Sequence, residues 1–267
     1  MPRPWRLLPL SPGEPARNMA VDLAVFYAYR QGLVLPTLRF YTWEPPAVSC
    51  GRFQDFAELD LDACARLGYR VVRRPTGGRA VLHEGDLTYA VVMGERDGLP
   101  SGVLPSYLFL SRGLLAGLRR LGLAAELAVP ARAGSRSPAC FAGPSWYELV
   151  VAGRKVAGSA QRREGGDVLQ HGSIALAFSP ARLAGVLRAT GEEGDQAARL
   201  ARAAAGLSAF LPGLDVARVA AAVQEGFAEA LGVEFVEGRL SAAEEEMTAS
   251  FLRDFPEWRP GDCSGRA

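Results

Sequence analysis

The chain has 267 residues, 49% hydrophobic and 22% charged, an ordinary globular composition long enough for one large domain or two small ones. A net charge of +1 gives no global field for an acidic polymer, and no run approaches the roughly 20 apolar residues of a membrane span. No nucleic-acid or membrane partner is therefore expected. The proline-broken N-terminus lacks a convincing cleavage site, so cytoplasm is the expected compartment.

In chain order, Asn18 is placed to cap an alanine-rich helix over Met19–Gln31 that ends at Gly32. Pro36–Thr42 alternates like a strand, and Ala47–Gly51 is its predicted partner across the Glu44-Pro45-Pro46 turn. A short helix over Asp60–Leu67 stops at Gly68. Strands follow over Tyr69–Arg73, Ala80–Leu82 and Leu87–Met93, the first two flanking a Gly77-Gly78 turn. Ser106–Leu121 has helical period, with Leu108, Leu115 and Leu118 near one face. Val129–Ser137 reads as a flexible basic loop. Trp146–Val151, the Ala152-Gly153 turn and Lys155–Gln161 form a hairpin, and Val168–Phe178 is a third strand. Helices are expected over about 180–190, 195–205, 215–231 and 241–253. The expected organisation is one catalytic domain over 1–255 and a disordered tail over 256–267. Hairpin-like links between strands predict an α+β fold, a mixed and largely antiparallel sheet with packed helices.

Of the 30 basic residues, 29 are arginine and one is lysine, Lys155, in Gly153-Arg154-Lys155-Val156-Ala157-Gly158-Ser159-Ala160-Gln161. Chance drift could strand a last lysine. A compact ammonium, however, fits beside a reacting sulfur or carbonyl where a planar guanidinium does not. The cysteines, Cys50, Cys64, Cys140 and Cys263, match neither a CxxC metal pair nor a disulfide framework. With His83 and His171 the two histidines of the chain, zinc ligands are scarce, and neither a metal nor another cofactor is expected. Cys140 lies between Pro138 and Pro144 in a loop entering a strand. A free thiol of pKa about 8.5 is about 3% thiolate at pH 7, and half-ionising it needs roughly 2 kcal/mol. One ammonium at about 4 Å offers up to about 4 kcal/mol at an effective dielectric of 20. Lys155 would suffice if the two residues meet.

The densest motif is Arg73-Arg74-Pro75-Thr76-Gly77-Gly78-Arg79-Ala80-Val81-Leu82-His83. Its glycines permit close approach of backbone amides to a ligand, and the alternative is a plain turn with solvated arginines. It matches neither the phosphate loop nor the dinucleotide fingerprint. A lone histidine such as His83 is more often a structural hydrogen-bonder than an acid or base. Arg132, Arg136, Arg162 and Arg163 edge the same cleft or form a solvated rim.

Together these segments resemble the lipoate-protein ligase and octanoyltransferase family. The resemblance runs over about 18–178: Asn18-Met19-Ala20 with Asp22, Leu38-Arg39-Phe40-Tyr41, Pro45 to Gln54, the Arg73–His83 loop, Lys155 to Gln161, and Gln170-His171-Gly172-Ser173. Ala139-Cys140-Phe141 before Pro144-Ser145-Trp146-Tyr147-Glu148 looks most like the family's cysteine-dependent octanoyltransferases. Its ATP-using ligases more often carry a third glycine at the place of Arg79. Ala142-Gly143 departs from relatives that have an acidic residue after the Cys-Phe pair. The resemblance implies a fold like that of biotin and lipoate protein ligases. It implies octanoyl transfer from acyl carrier protein to a lysine of a lipoyl-domain protein such as the glycine-cleavage H protein. Cys140 would carry the acyl group as a thioester and Lys155 would assist it. Arg73, Arg74, Thr76, Gly77, Gly78, Arg79, His83, Gly158, Ser159, Ala160, His171 and Gly172 would line the substrate site. The rival readings are an ATP-dependent lipoate ligase and a non-catalytic lipoyl-domain binder.

Overall fold

The computed structural model describes residues 3–128, 147–188 and 196–253. The described residues form a large mixed sheet of eight strands and a small one of three. The large sheet contains β1 (Arg3–Gly13), β2 (Thr37–Trp43), β6 (Asp86–Gly94), β7 (Ala125–Leu127), β8 (Leu149–Val151), β9 (Arg154–Glu164), β10 (Asp167–Ala175) and β11 (Val233–Glu237). Its order is β11-β1-β2-β6-β10-β9-β8-β7. The two joints made by β1 are parallel and the others antiparallel, as the hairpin-like links predicted. The small sheet is β3 (Ala47–Cys50) between parallel β4 (Arg70–Arg73) and antiparallel β5 (Val81–His83).

Helices cover both faces of the large sheet, which is why all nine residues of β6 are buried. Leu87, Tyr89, Val91 and Met93 face a core shared with α3 (Val103–Arg120) and α6 (Val216–Leu231). Ala90 and Val92 face α1 (Pro15–Arg30), which packs on α7 (Ala242–Phe251). A third cluster joins the small sheet to α2 (Leu61–Arg66), α4 (Pro180–Gly185) and α5 (Gln196–Ala203). The α3–α6 crossing depends on small residues: a Cβ at Gly226 would overlap Gly117 N, and one at Gly117 would meet Val223 Cα at 2.6 Å. The buried stripe of α3 is accordingly Leu110, Gly113, Leu114, Gly117 and Leu118, with Leu108 and Leu115 half-buried beside it.

Several local expectations are corrected. Ala47–Gly51 does not pair with β2, because both edges of β2 are taken by β1 and β6; β3 turns instead into the small sheet. Asn18 is not a cap. The helix starts at Pro15 after Glu14, and the Asn18 side chain is buried, donating to the carbonyls of Gly13 and Thr42. Arg3–Gly13 is an interior strand despite four prolines in the first twelve residues; Pro9 and Leu10 sit where the β1–β2 register shifts, so no ladder donor is required of Pro9. The loop over 129–137 and the tail over 256–267 lie outside the described residues.

Candidate active site

The β8–β9 hairpin turns at Ala152 and Gly153, both at positive φ, a pair of left-handed residues suited to a two-residue link. Val150 pairs with Lys155 across it. Glu148, two residues before Val150, therefore shares its face, and the Lys155 Nζ donates to Glu148 Oε1 at 2.5 Å. Lys155 is 0% exposed, one of the largest fully buried side chains among the described residues, and Glu148 is also buried. The field of the ammonium is thus shared with a carboxylate. The arithmetic for a solitary cation gives an upper bound on what Lys155 offers a neighbour.

Strand alternation divides the predicted site residues between two faces. Ala160 pairs with His171 and Gly158 with Ser173, on the face away from α3 and α6. A bulge at Val156, where Leu149 faces Ala157 and Val150 faces Lys155, brings Lys155 to that face as well. Ser159 and Gly172 look the other way: Tyr89 donates its hydroxyl to Ser159 Oγ at 2.7 Å, and a Cβ at Gly172 would meet Tyr89 Cε1 at 2.8 Å.

Two buried relays stand on the Lys155 face. In the first, Asp22 accepts from Arg39 Nη1 at 2.6 Å, from the Tyr41 hydroxyl at 2.8 Å and from His171 Nδ1 at 2.8 Å. Burial alone would raise the Asp22 carboxyl, but the Arg39 guanidinium and the hydrogen bonds outweigh it and hold the group below its ordinary value. Burial pushes His171 down from 6.5 against the pull of Asp22, so the ring is neutral at pH 7. With Nδ1–H given to the carboxylate, Nε2 accepts from the Thr76 hydroxyl at 2.6 Å. In the second relay, His83 Nδ1 donates to Asp86 Oδ2 at 2.8 Å and Nε2 meets Ser49 Oγ at 2.8 Å. Trp43 stacks on the ring at 3.9 Å. His83 is thus held by hydrogen bonds at both ring nitrogens and by the Trp43 ring.

Both relays end at the Thr76–Arg79 loop. Arg74 links Ser49 to it, with Nη1 donating to the Ser49 carbonyl at 2.9 Å and Nη2 to the carbonyls of Gly77 and Arg79, each at 2.8 Å. Arg73 donates to the carbonyls of Gly51, Arg52 and Gln54 and lies over the Phe56 ring. These two arginines hold backbone. Arg79 is partly exposed and pairs with Glu58. Gly78, at φ +92°, carries its carbonyl against Gly51, where a Cβ would overlap it; Gly77 faces open space.

Lys155, Gly158, Ala160, His171 and the Thr76–Arg79 loop are therefore brought to one face of the sheet, while Ser159 and Gly172 contribute only backbone there. Cys140, Arg132 and Arg136 lie outside the described residues. Arg162 pairs with Glu164 and Arg163 donates to Ser106. Burial pushes the thiols of Cys50 and Cys64 up to about 12, so neither is a nucleophile at neutral pH. Sequence reasoning assigned no role to Glu148, Asp22, Asp86 or Ser49. Hairpin register would have found Glu148, an acid heading a strand of three buried apolar residues, on the face of the lone lysine.

The chain is 46% identical to an octanoyltransferase LipM of Kyrpidia tusciae over 95% of its own length and 97% of that protein. It is 43% identical to one of Moorella thermoacetica, over 90% and 91%. Among solved structures it resembles lipoate-protein ligase A bound with ATP, at 25% identity and a TM-score of 0.78 over 95% of each chain. A bi-partite lipoate protein ligase from Thermoplasma acidophilum, studied with its E2 lipoyl domain, is 26% identical with a TM-score of 0.78, over 95% of this chain and 92% of that one. The family model of the lipoyl protein ligase A/B catalytic domain matches residues 14–228. By this match and by the identity to these relatives, the chain belongs to the lipoyl protein ligase A/B catalytic-domain family.

Proposed function

We propose that this chain is a cytoplasmic octanoyltransferase that moves an octanoyl group from acyl carrier protein to a lysine of a lipoyl-domain protein such as the glycine-cleavage H protein. The observation that carries the reading is the buried Lys155, the lone lysine of the chain, held at 2.5 Å from Glu148 in a protein nearly half identical to relatives named octanoyltransferases. In the first half-reaction the Cys140 thiolate attacks the carrier thioester. A carbon–sulfur bond forms, the bond to the carrier breaks, and the released thiolate takes a proton. In the second, the acceptor's neutral amine attacks the enzyme thioester, an amide forms, Cys140 leaves as thiolate, and the amine gives up a proton. Lys155 stabilises the thiolate and the oxyanion of each step.

The acyl chain lies along the face built by Gly158, Ala160, His171 and the Thr76–Arg79 loop. Lys155 stands five residues along β9 from Ala160, one of them taken up by the Val156 bulge, a separation of about 13 Å at about 3.3 Å per residue, room for an extended medium-length chain between the reacting end and the loop. The raised thiols of Cys50 and Cys64 favour Cys140 as the nucleophile.

Intact-mass measurement after mixing with octanoyl-carrier protein tests this. An added octanoyl group that disappears in Cys140→Ala is expected. Transfer that requires ATP and free lipoate, with no acyl-enzyme from the carrier, would instead identify a ligase.

A further inference from the structure

Lys155 is fully buried, and a buried amine without a counter-charge gives up its proton, its pKa falling by up to roughly 3–5 units. An amine in that state would stabilise a thiolate or an oxyanion far less, since only a neutral N–H donor remains. The carboxylate that meets it belongs to the residue just before the facing strand, across a turn of two residues, so it moves with the hairpin and not with the substrate. Among the described residues, the other charged groups of the elements packed on this hairpin are exposed or engaged with other partners. The Arg154 guanidinium lies over the Phe210 ring at 4.8 Å, Glu126 on β7 is exposed, and Arg199 and Arg202 on α5 are exposed. Asp86 on β6 accepts from His83, Thr88 and Ser173. The segment of β10 facing this part of β9, Ser173 to Ala175, is uncharged.

We propose that Glu148 is a positioning residue whose carboxylate keeps Lys155 charged inside the protein and fixes where the ammonium stands. The inference rests on the reading of Lys155 as the group that assists acyl transfer, and it adds how that group stays usable. A paired ammonium acts over a short range, because its field falls as that of a dipole. It therefore favours negative charge developing beside Nζ and leaves more distant groups unaffected.

With one lysine in the chain, the pair can be read without substrate. Protein labelled with 13C at the lysine ε-carbon gives a single lysine signal whose shift reports the charge. In the wild type the lysine is expected to stay charged to about pH 10, near the ordinary value for the residue. In Glu148→Gln its titration is expected at least about two units lower, and the alkaline limb of octanoyl transfer should move down with it. Coincident titration of the two proteins would overturn the assignment. If Glu148→Gln does not fold, the wild type and Glu148→Asp decide. A wild-type lysine already neutral at about pH 8 overturns the assignment, as does a Glu148→Asp protein whose lysine titration and transfer both match the wild type, whereas a lowered titration or transfer in Glu148→Asp upholds it. A lowered titration with unchanged transfer at alkaline pH would strike the acyl-transfer role of Lys155, leaving the counter-ion intact.

Discussion

Nε2 of His171 stands 2.6 Å from the hydroxyl of Thr76, and this contact joins the loop of the small sheet to the middle of the large one. Behind it the same ring holds Asp22, which Arg39 and Tyr41 complete. His171→Ala would leave a buried hydroxyl and a buried carboxylate each one partner short, at about 2–4 kcal/mol.

The relay also sets a pH dependence. Burial holds His171 in the folded protein below 6.5, so between the folded value and 6.5 the unfolded chain binds the extra proton. Stability is therefore complete above about 6.5 and declines as pH falls from there toward the folded value. Asp22, held below 3.8, contributes above 3.8 and loses that contribution at lower pH still, as its folded value is crossed. Urea midpoints measured at pH 7.5 and 5.5 should fall on acidification, and fall less in His171→Gln. Equal slopes in both proteins would show that the ring does not titrate with unfolding.

Much of this frame was legible because period and punctuation agree. Asp60 starts a helix, and Gly68, the Gly77-Gly78 turn and the Ala152-Gly153 turn follow the ends of elements, where the sequence placed them. What was not legible depends on partners distant in the chain. Arg3–Gly13 reads as proline-broken coil until β11 and β2 supply its ladders. Val233–Glu237 follows a helix and pairs with residues some 230 positions earlier. Asn18 looks like a cap because its type suits one, but Arg39 donates to both its oxygens. The lysine stood out by composition, whereas Glu148 is one of 29 acidic residues and gains meaning only from register.

Lys155→Arg conserves charge and should still fail. The site has no exposed surface to receive the longer, planar guanidinium, so overpacking of about 1–3 kcal/mol is expected together with a displaced charge. Octanoyl transfer should drop at least about a hundredfold, the scale of a lost transition-state charge contact. Purified variant with wild-type turnover would return the single lysine to compositional chance.

Gly226→Ala probes the helix crossing. A Cβ there overlaps the backbone of Gly117 and the Gly113 carbonyl, and backbone cannot rotate away. A loss of about 1–3 kcal/mol is expected, against a change within about 0.5 kcal/mol for Gly185→Ala, where a Cβ meets nothing within 4 Å. Denaturant midpoints compare the two directly. Equal midpoints would mean that α3 and α6 separate at little cost.

Ala160→Leu tests which face carries the acyl chain. Ala160 pairs with His171 and lies on the Lys155 side, so a larger side chain there should shorten the space left for substrate. One methylene of mismatch in an apolar pocket is worth about 1–3 kcal/mol, so the preference for octanoyl- over butyryl-carrier protein should fall at least about tenfold. The neighbouring Ser159→Ala removes only a hydroxyl bonded to Tyr89 on the opposite face and should leave that preference unchanged. Competition between the two donors, read by the mass of the modified acceptor, checks both variants. If Ser159→Ala changes the preference and Ala160→Leu does not, the chain runs on the α3–α6 side of the sheet.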